Sequence, residues 1–201
     1  YGASAISPRL LRRVLAETDC DLSQGFGMTE LSGTIAFLSP EQHRLAATSA
    51  PELLQSVGQL VADIECQVVD RYGNQVTQDE SGEIIVRGAQ VISHYWNNSK
   101  ATAETFKNGW LYTGDIGRFD VQGNLTIVDR KKDIIISGGE NIASREVEVA
   151  ISLMNNVKQV AVVGISDRKW GERVCALIER VDQQFTEPTE ANVKSQCRDQ
   201  L

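Results

Sequence analysis

Several things are scarce in this 201-residue sequence, and each scarcity excludes something. There are four cysteines, Cys20, Cys66, Cys175 and Cys197, with no C-x-x-C pair among them, and only two histidines. A structural zinc site or a disulfide framework needs a denser set, so a reducing, cytoplasmic setting is expected. No apolar run approaches the roughly 18 residues of a membrane span, and no secretory leader is expected. Basic residues are the minority, 20 against 27 acidic ones, for a net charge of −7. No basic face is implied, so nucleic acid is not expected as a partner. Methionine is missing at position 1, where Tyr1 precedes a run of small residues, and Leu201 falls inside a predicted helix. The sequence is expected to be a piece of a longer protein.

What is present reads as globular. Hydrophobic content of 41% and charged content of 23% are ordinary for a folded domain, and the length allows one large domain or two small ones. Ser7-Pro8 predicts a helix start, with Leu10, Leu11, Val14 and Leu15 forming its apolar face. Residues 20–30 read as a short strand running into a glycine loop, and 39–56 as a long polar loop. Residues 65–70 and 82–88 are strand candidates, with a Gly-Asn hairpin signal between them. A second hairpin is predicted over 119–129, with Gly123-Asn124 at its tip.

The texture changes near residue 131. Residues 133–137 predict a strand. Ser144 is placed to cap a helix whose apolar positions Val147, Ala150, Ile151 and Met154 recur at i, i+3, i+4 and i+7. Two strands follow, over 157–166 and 173–181, and Thr189 opens a last helix. The expected domains are therefore a strand-rich part, 1–131, and a small α+β unit, 132–201.

Four short motifs carry candidate chemistry. In QGFGMTE, 24–30, Gly25 and Gly27 allow close backbone approach, Phe26 can stack on a base, Thr29 offers a hydroxyl to a phosphate, and Glu30 is a hard oxygen ligand for Mg²⁺. The run is not a dinucleotide fingerprint, because the third glycine of G-x-G-x-x-G falls on Glu30. In GWLYTGDIG, 109–117, Asp115 can accept both hydroxyls of a ribose diol, or be a turn aspartate. The run Asp129-Arg130-Lys131-Lys132-Asp133 reads alone as a solvated turn. Ser137-Gly138-Gly139-Glu140-Asn141 reads alone as a strand-to-helix connection.

Taken in this order and at these separations, the four motifs resemble the adenylate-forming (AMP-binding) superfamily: acyl- and aryl-CoA synthetases, luciferases and carrier-loading adenylation domains. The segment GEIIVRGAQVISHYWNNSKATAETF, 82–106, resembles that family as well.

The resemblance implies a fold of α/β and α+β character. It would be the end of the large adenylate-forming domain with its β-barrel-like subdomain, then a small mobile α+β domain. It implies that Gly2, Ala3 and Ser4 with Gly25, Phe26 and Gly27 hold adenine. Thr29 would meet the α-phosphate, Glu30 the Mg²⁺, and Asp115 with Arg130 the ribose. Lys132 would be the hinge, in a run kept solvated so that it can reorganise. Gly138, Gly139 and Glu140 would line the pantetheine channel of CoA.

The implied reaction activates a carboxylic acid, by preference a fatty acid, as acyl-AMP, and passes it to CoA. ATP, Mg²⁺ and CoA are the implied cofactors. Carrier-protein loading, another fate of the adenylate such as oxidation, and a non-catalytic nucleotide-binding module remain the alternatives. Two family elements, the glycine-rich phosphate loop and the C-terminal lysine, are not among the 201 residues, so this stretch by itself is expected to be inactive. Tyr1 stands where the family has glycine, and so does His94, which reads as a surface loop residue.

Overall fold

The computed structural model describes every residue except 4, 5, 7 and 183–187, and of Pro8 only the backbone. The candidate residue Ser4 and the expected N-cap Ser7 lie outside the described residues. The chain divides into two compact units, Tyr1–Ile127 and Val128–Leu201.

The first unit opens with α1 (Pro8–Glu17), β1 (Gln24–Met28) and β2 (Gly33–Leu38). Of the expected α1 face, Leu11 is buried, Val14 and Leu15 are partly covered, and Leu10 is 49% exposed. Leu11 packs with Ala46 and Leu54, whereas Leu10, about 100° further round the helix, is not part of that cluster. Residues 20–30 do not end in a glycine loop: Gly25-Phe26-Gly27 is the body of strand β1, paired antiparallel with β2.

Residues 39–56 are not a loop either. They form α2 (Pro40–Thr48) and a 3-10 turn, Pro51–Gln55. The reason is local. Ser39 accepts the Gln42 backbone N–H, the Gln42 side chain accepts the Ser39 N–H at 2.9 Å, and proline fills the first helical position. Apolar periodicity is weak because one of the two buried side chains of α2 is His43.

β3 (Gln59–Leu60) completes a three-stranded sheet in the order β1-β2-β3. β4 (Ile64–Val69) and β5 (Gly82–Gly88) pair antiparallel, Ile64 opposite Gly88 through Val69 opposite Glu83, so the first hairpin stands where it was expected. α3 (Ser99–Thr105), β6 (Phe106–Lys107), β7 (Trp110–Phe119) and β8 (Leu125–Arg130) follow. The sheet runs β4-β5-β7-β6, with β8 also on β7. At the β7–β8 turn, Asp120 accepts the N–H groups of Gln122 and Asn124, which fixes the predicted Gly123-Asn124 tip. The core gathers Ile35, Val68, Ile84, Val86, Leu111 and Leu125 from both sheets, with Leu31 and Val57 from the connections between strands.

The second unit begins within β8. β9 (Ile135–Ser137), β10 (Glu140–Ile142), α4 (Ser144–Ser152), β11 (Val157–Asp167), β12 (Gly171–Arg180) and α5 (Glu190–Gln200) follow, in the sheet order β10-β9-β12-β11. Val147, Ala150 and Ile151 are buried, and alternate residues Val160 and Val162 of β11 pack with Val174, Ala176 and Ile178 of β12. This is the period-3.6 face of a helix laid on the period-2 face of a hairpin. Fully burying a side chain such as Ile151 is worth about 1.5–3 kcal/mol. Thr189 caps α5 as expected, in a capping box with Asn192.

Candidate functional site

Two of the sequence-predicted segments meet. Gly2 forms a parallel bridge with Gly25, and the Gly25 N–H donates to the Tyr1 carbonyl at 2.9 Å. The approach is tight: a Cβ on Gly2 would stand 2.6 Å from the Gly25 carbonyl oxygen. Ala3, exposed, sits at φ 65, a left-handed conformation that costs a non-glycine residue about 1–2 kcal/mol. Gly27 serves a still closer contact. Its missing Cβ would lie 1.9 Å from the Gly33 carbonyl oxygen, at the register shift between β1 and β2. Phe26 is half-buried, with its ring against the core of the first unit.

Beyond Met28 the strand gives way to a 3-10 turn, Thr29–Leu31, which anchors Leu31 in the core. Thr29 is exposed and Glu30 half-exposed. Glu30 is held at two points. Its carbonyl accepts the Ile92 N–H at 2.9 Å, and its Oε1 accepts the Tyr95 hydroxyl at 2.7 Å. Oε2 has no partner among the described residues. Burial first, then the hydrogen bond to Glu30, holds the Tyr95 pKa above its ordinary value, so the phenol stays a donor.

Among the described residues no group of three or more His, Cys, Asp or Glu side chains could hold a metal by itself. Mg²⁺, however, is commonly bound by one or two carboxylates with phosphate oxygens and water completing the shell. A single carboxylate with one oxygen tied and one open fits that role.

Asp115 lies in β7, half-buried, and its N–H donates to the Thr113 hydroxyl at 3.1 Å, which in turn donates to the Ile84 carbonyl at 2.8 Å. In the charged run, Arg130, Lys131, Lys132 and Asp133 are exposed, as a solvated turn requires. Asp129 departs from that reading. It is buried, and its Oδ2 accepts the Ser144 hydroxyl at 2.8 Å and the Arg145 N–H at 3.2 Å. Ser144 is therefore not the cap of α4. Ala143 holds the N-cap position with no side-chain bond, and the capping oxygen comes from Asp129.

Gly138 and Gly139 form the two-residue turn of the β9–β10 hairpin, with Ser137 opposite Glu140, rather than a strand-to-helix connection. Both glycines have positive φ, 61 and 92, as a type I′ turn demands. The strands are only three residues long, too short to announce themselves in the sequence. Trp170 covers the turn: its carbonyl accepts the Gly138 N–H at 2.8 Å and its ring lies over Gly138. The Lys169 ammonium stands 4.4 Å above that ring.

Sequence reasoning missed Trp170, misread Asp129 as part of a solvated turn, and gave Tyr95 no role within the segment 82–106. Tyr95 is 65 positions from its partner Glu30, and no local pattern marks it. Trp170 had a signal, a tryptophan directly before glycine between two predicted strands.

The chain belongs to the AMP-binding enzyme family. The model of the AMP-binding enzyme matches residues 1–96, and that of the AMP-binding enzyme C-terminal domain matches residues 146–201. It is similar to the medium/long-chain-fatty-acid–CoA ligase FadD8 of Mycobacterium tuberculosis, at 40% identity over 89% of this chain and 30% of the relative. Among solved structures it matches the amide bond synthetase McbA of Marinactinospora thermotolerans, with a TM-score of 0.89 and 33% identity, covering all of this chain and 40% of that one. It also matches the o-succinylbenzoate CoA synthetase MenE of Bacillus subtilis in complex with its acyl-adenylate, with a TM-score of 0.83 and 34% identity, over all of this chain and 39% of the other. The chain thus spans well under half the length of these relatives, and its fold is that of adenylate-forming enzymes. No helix among the described residues is long and apolar enough to cross a membrane.

Proposed function

We propose that this chain carries the nucleotide-binding end and the small domain of an ATP-dependent acid–CoA ligase that forms AMP. The observation that carries the reading is the Gly2–Gly25 bridge, which sets Gly2 beside the aromatic-bearing strand and leaves Thr29 and Glu30 at the strand's end. In this reading Gly2, Ala3, Ser4, Gly25, Phe26 and Gly27 hold adenine, Asp115 and Arg130 the ribose, and Thr29 the α-phosphate. Glu30 would hold Mg²⁺ together with the phosphates, and the cation would neutralise charge that builds on the phosphate.

The chemistry accounts for those needs. A carboxylate is a poor electrophile because oxide is a poor leaving group. Attack on the α-phosphate of ATP releases pyrophosphate and gives acyl-AMP, from which the thiol of CoA then displaces AMP. Water has to be kept out between the two steps, because the adenylate hydrolyses. A small domain, residues 132–201, that turns about Lys132 would serve both steps and bring Gly138, Gly139 and Glu140 to the pantetheine arm. The Asp129 bonds to Ser144 and Arg145 reach across Lys132 in sequence, so a turn centred on that residue has to release them.

The acid is proposed to be a fatty acid, in keeping with what FadD8 is named for, and the setting to be cytoplasmic, in keeping with four free cysteines. A second reading, an acceptor other than CoA such as an amine, is favoured by the likeness to the amide bond synthetase McbA.

The test is incubation of the full-length protein with ATP, Mg²⁺ and short, medium, long-chain and aromatic acids, with and without CoA, with products read by mass spectrometry. Acyl-CoA and AMP appearing only with CoA are expected. Acyl-adenylate that accumulates and ignores CoA would move the assignment to the second reading, and no AMP from any acid would remove both.

A further inference from the structure

Tyr95 belongs to no motif that the proposed function uses, yet it is fixed at both its backbone and its ring. Its backbone N–H donates to the Thr102 hydroxyl at 3.0 Å, and that hydroxyl donates to the Asn98 carbonyl at 2.8 Å. Its ring meets Phe106 edge-on, with centroids 5.9 Å apart, and Phe106 packs on the core of the first unit. Asn98 also caps α3, accepting the Ala101 N–H at 3.1 Å. The phenol therefore stands on a rigid base, and what it holds is one oxygen of Glu30, at 2.7 Å.

We infer that Tyr95 is a positioning residue for the divalent cation that accompanies ATP: its hydroxyl ties Glu30 Oε1 and leaves Oε2 as a one-oxygen, pre-aimed ligand. This rests on the reading of Glu30 as the cation's carboxylate. A glutamate on a 3-10 turn has three free torsions, and a half-exposed carboxylate would sample many of them. Tying one oxygen removes that freedom before the cation arrives, so less ordering is left for the binding step. The tie also limits Glu30 to a single coordinating oxygen, which suits the small octahedral shell of Mg²⁺ better than the wider shell of Ca²⁺. A hydrogen-bonded partner behind a metal-binding carboxylate commonly changes metal affinity or activity by about 10–100-fold when removed.

The test is Tyr95→Phe in the full-length protein, which keeps the ring and its contact with Phe106. Mn²⁺ is the probe, its free concentration read by electron paramagnetic resonance in the presence of α,β-methylene-ATP. The expected result is Mn²⁺ binding weakened about tenfold and an apparent KM for Mg²⁺ in AMP formation raised by a similar factor. The KM for ATP at saturating metal and the thermal midpoint should stay put.

Glu30→Gln is the control. It should weaken Mn²⁺ binding at least as much, and adding Tyr95→Phe to it should change nothing further, because Tyr95 acts through that carboxylate. If Glu30→Gln weakens Mn²⁺ binding and Tyr95→Phe does not, the positioning role is overturned while the proposed function stands. If neither variant moves Mn²⁺ binding, the metal role of Glu30 fails and takes the positioning role with it. If Tyr95→Phe lowers the thermal midpoint and leaves metal dependence alone, the residue is a strut and the inference is wrong.

Discussion

Asp129 caps a helix that begins fifteen residues later: its Oδ2 takes the Ser144 hydroxyl at 2.8 Å while its Oδ1 takes the Arg130 N–H at 2.7 Å. One carboxylate thus ties the end of β8 to the first turn of α4. A negative charge at a helix N-terminus meets both the unsatisfied N–H groups and the positive end of the helix dipole.

Replacing Asp129 with alanine should lower the unfolding free energy of the second unit by about 1–2 kcal/mol, since a buried cap is lost and Ser144 is left without its acceptor. Ser144→Ala should cost less, because Arg145 keeps its bond. Urea unfolding of the three proteins decides the order, and equal midpoints would refute it.

The β9–β10 turn offers a comparison between neighbours. Among the described residues a Cβ on Gly139 meets nothing within 4 Å, so Gly139→Ala carries only the cost of its positive φ, about 1–2 kcal/mol. A Cβ on Gly138 would stand 2.8 Å from the Trp170 ring, so Gly138→Ala should destabilise more. Adding Trp170→Ala should recover part of that difference and leave the φ cost. Thermal midpoints of the single and double variants check this, and a Gly138 variant no worse than the Gly139 one would refute it.

At Gly27 the obstacle is backbone. Its Cβ would fall 1.9 Å from the Gly33 carbonyl, where no rotamer change relieves the clash. Gly27→Ala should cost more than about 4 kcal/mol, or leave the β1–β2 pair unformed. Circular dichroism and soluble yield would show it, and a stable, native-like variant would disprove the register described for these strands.

Burial pushes the Cys66 thiol up to about 12. The folded pKa lies above the ordinary value near 9, so the fold disfavours the thiolate. The associated stability is whole below pH 9 and is lost as pH rises toward 12. At pH 8 iodoacetamide should label exposed Cys20 faster than the partly buried Cys66, and unfolding should remove the difference. Equal labelling rates in the folded protein would contradict the burial.

Legibility in the sequence followed the range of the interaction. The Gly123-Asn124 hairpin, the α4 stripe of Val147, Ala150 and Ile151, and the Thr189 cap are set by residues within a turn or two, and all three were readable. α2 was readable too, since Ser39, Pro40 and Gln42 spell a capped start, but its mixed interior of His43 and Ala46 hid the helix. What could not be read is paired over long separations: Asp129 with Ser144, Glu30 with Tyr95, Gly2 with Gly25. A lone carboxylate in a charged run carries no mark of burial, and a glycine in a motif does not say whether it yields space to a ligand or to another strand.

The Gly2–Gly25 bridge bears on any attempt to re-engineer this corner. Where two backbones touch, side-chain volume is not an adjustable variable, because the smallest possible addition already overlaps a carbonyl. A designer who wanted to reshape the corner would have to change the length of a connecting segment, or work from neighbours such as Thr34 and Phe37 whose atoms face Gly25 from β2. Libraries that randomise Gly2 would return mostly misfolded chains, while the same diversity placed on β2 would be screened for what it does.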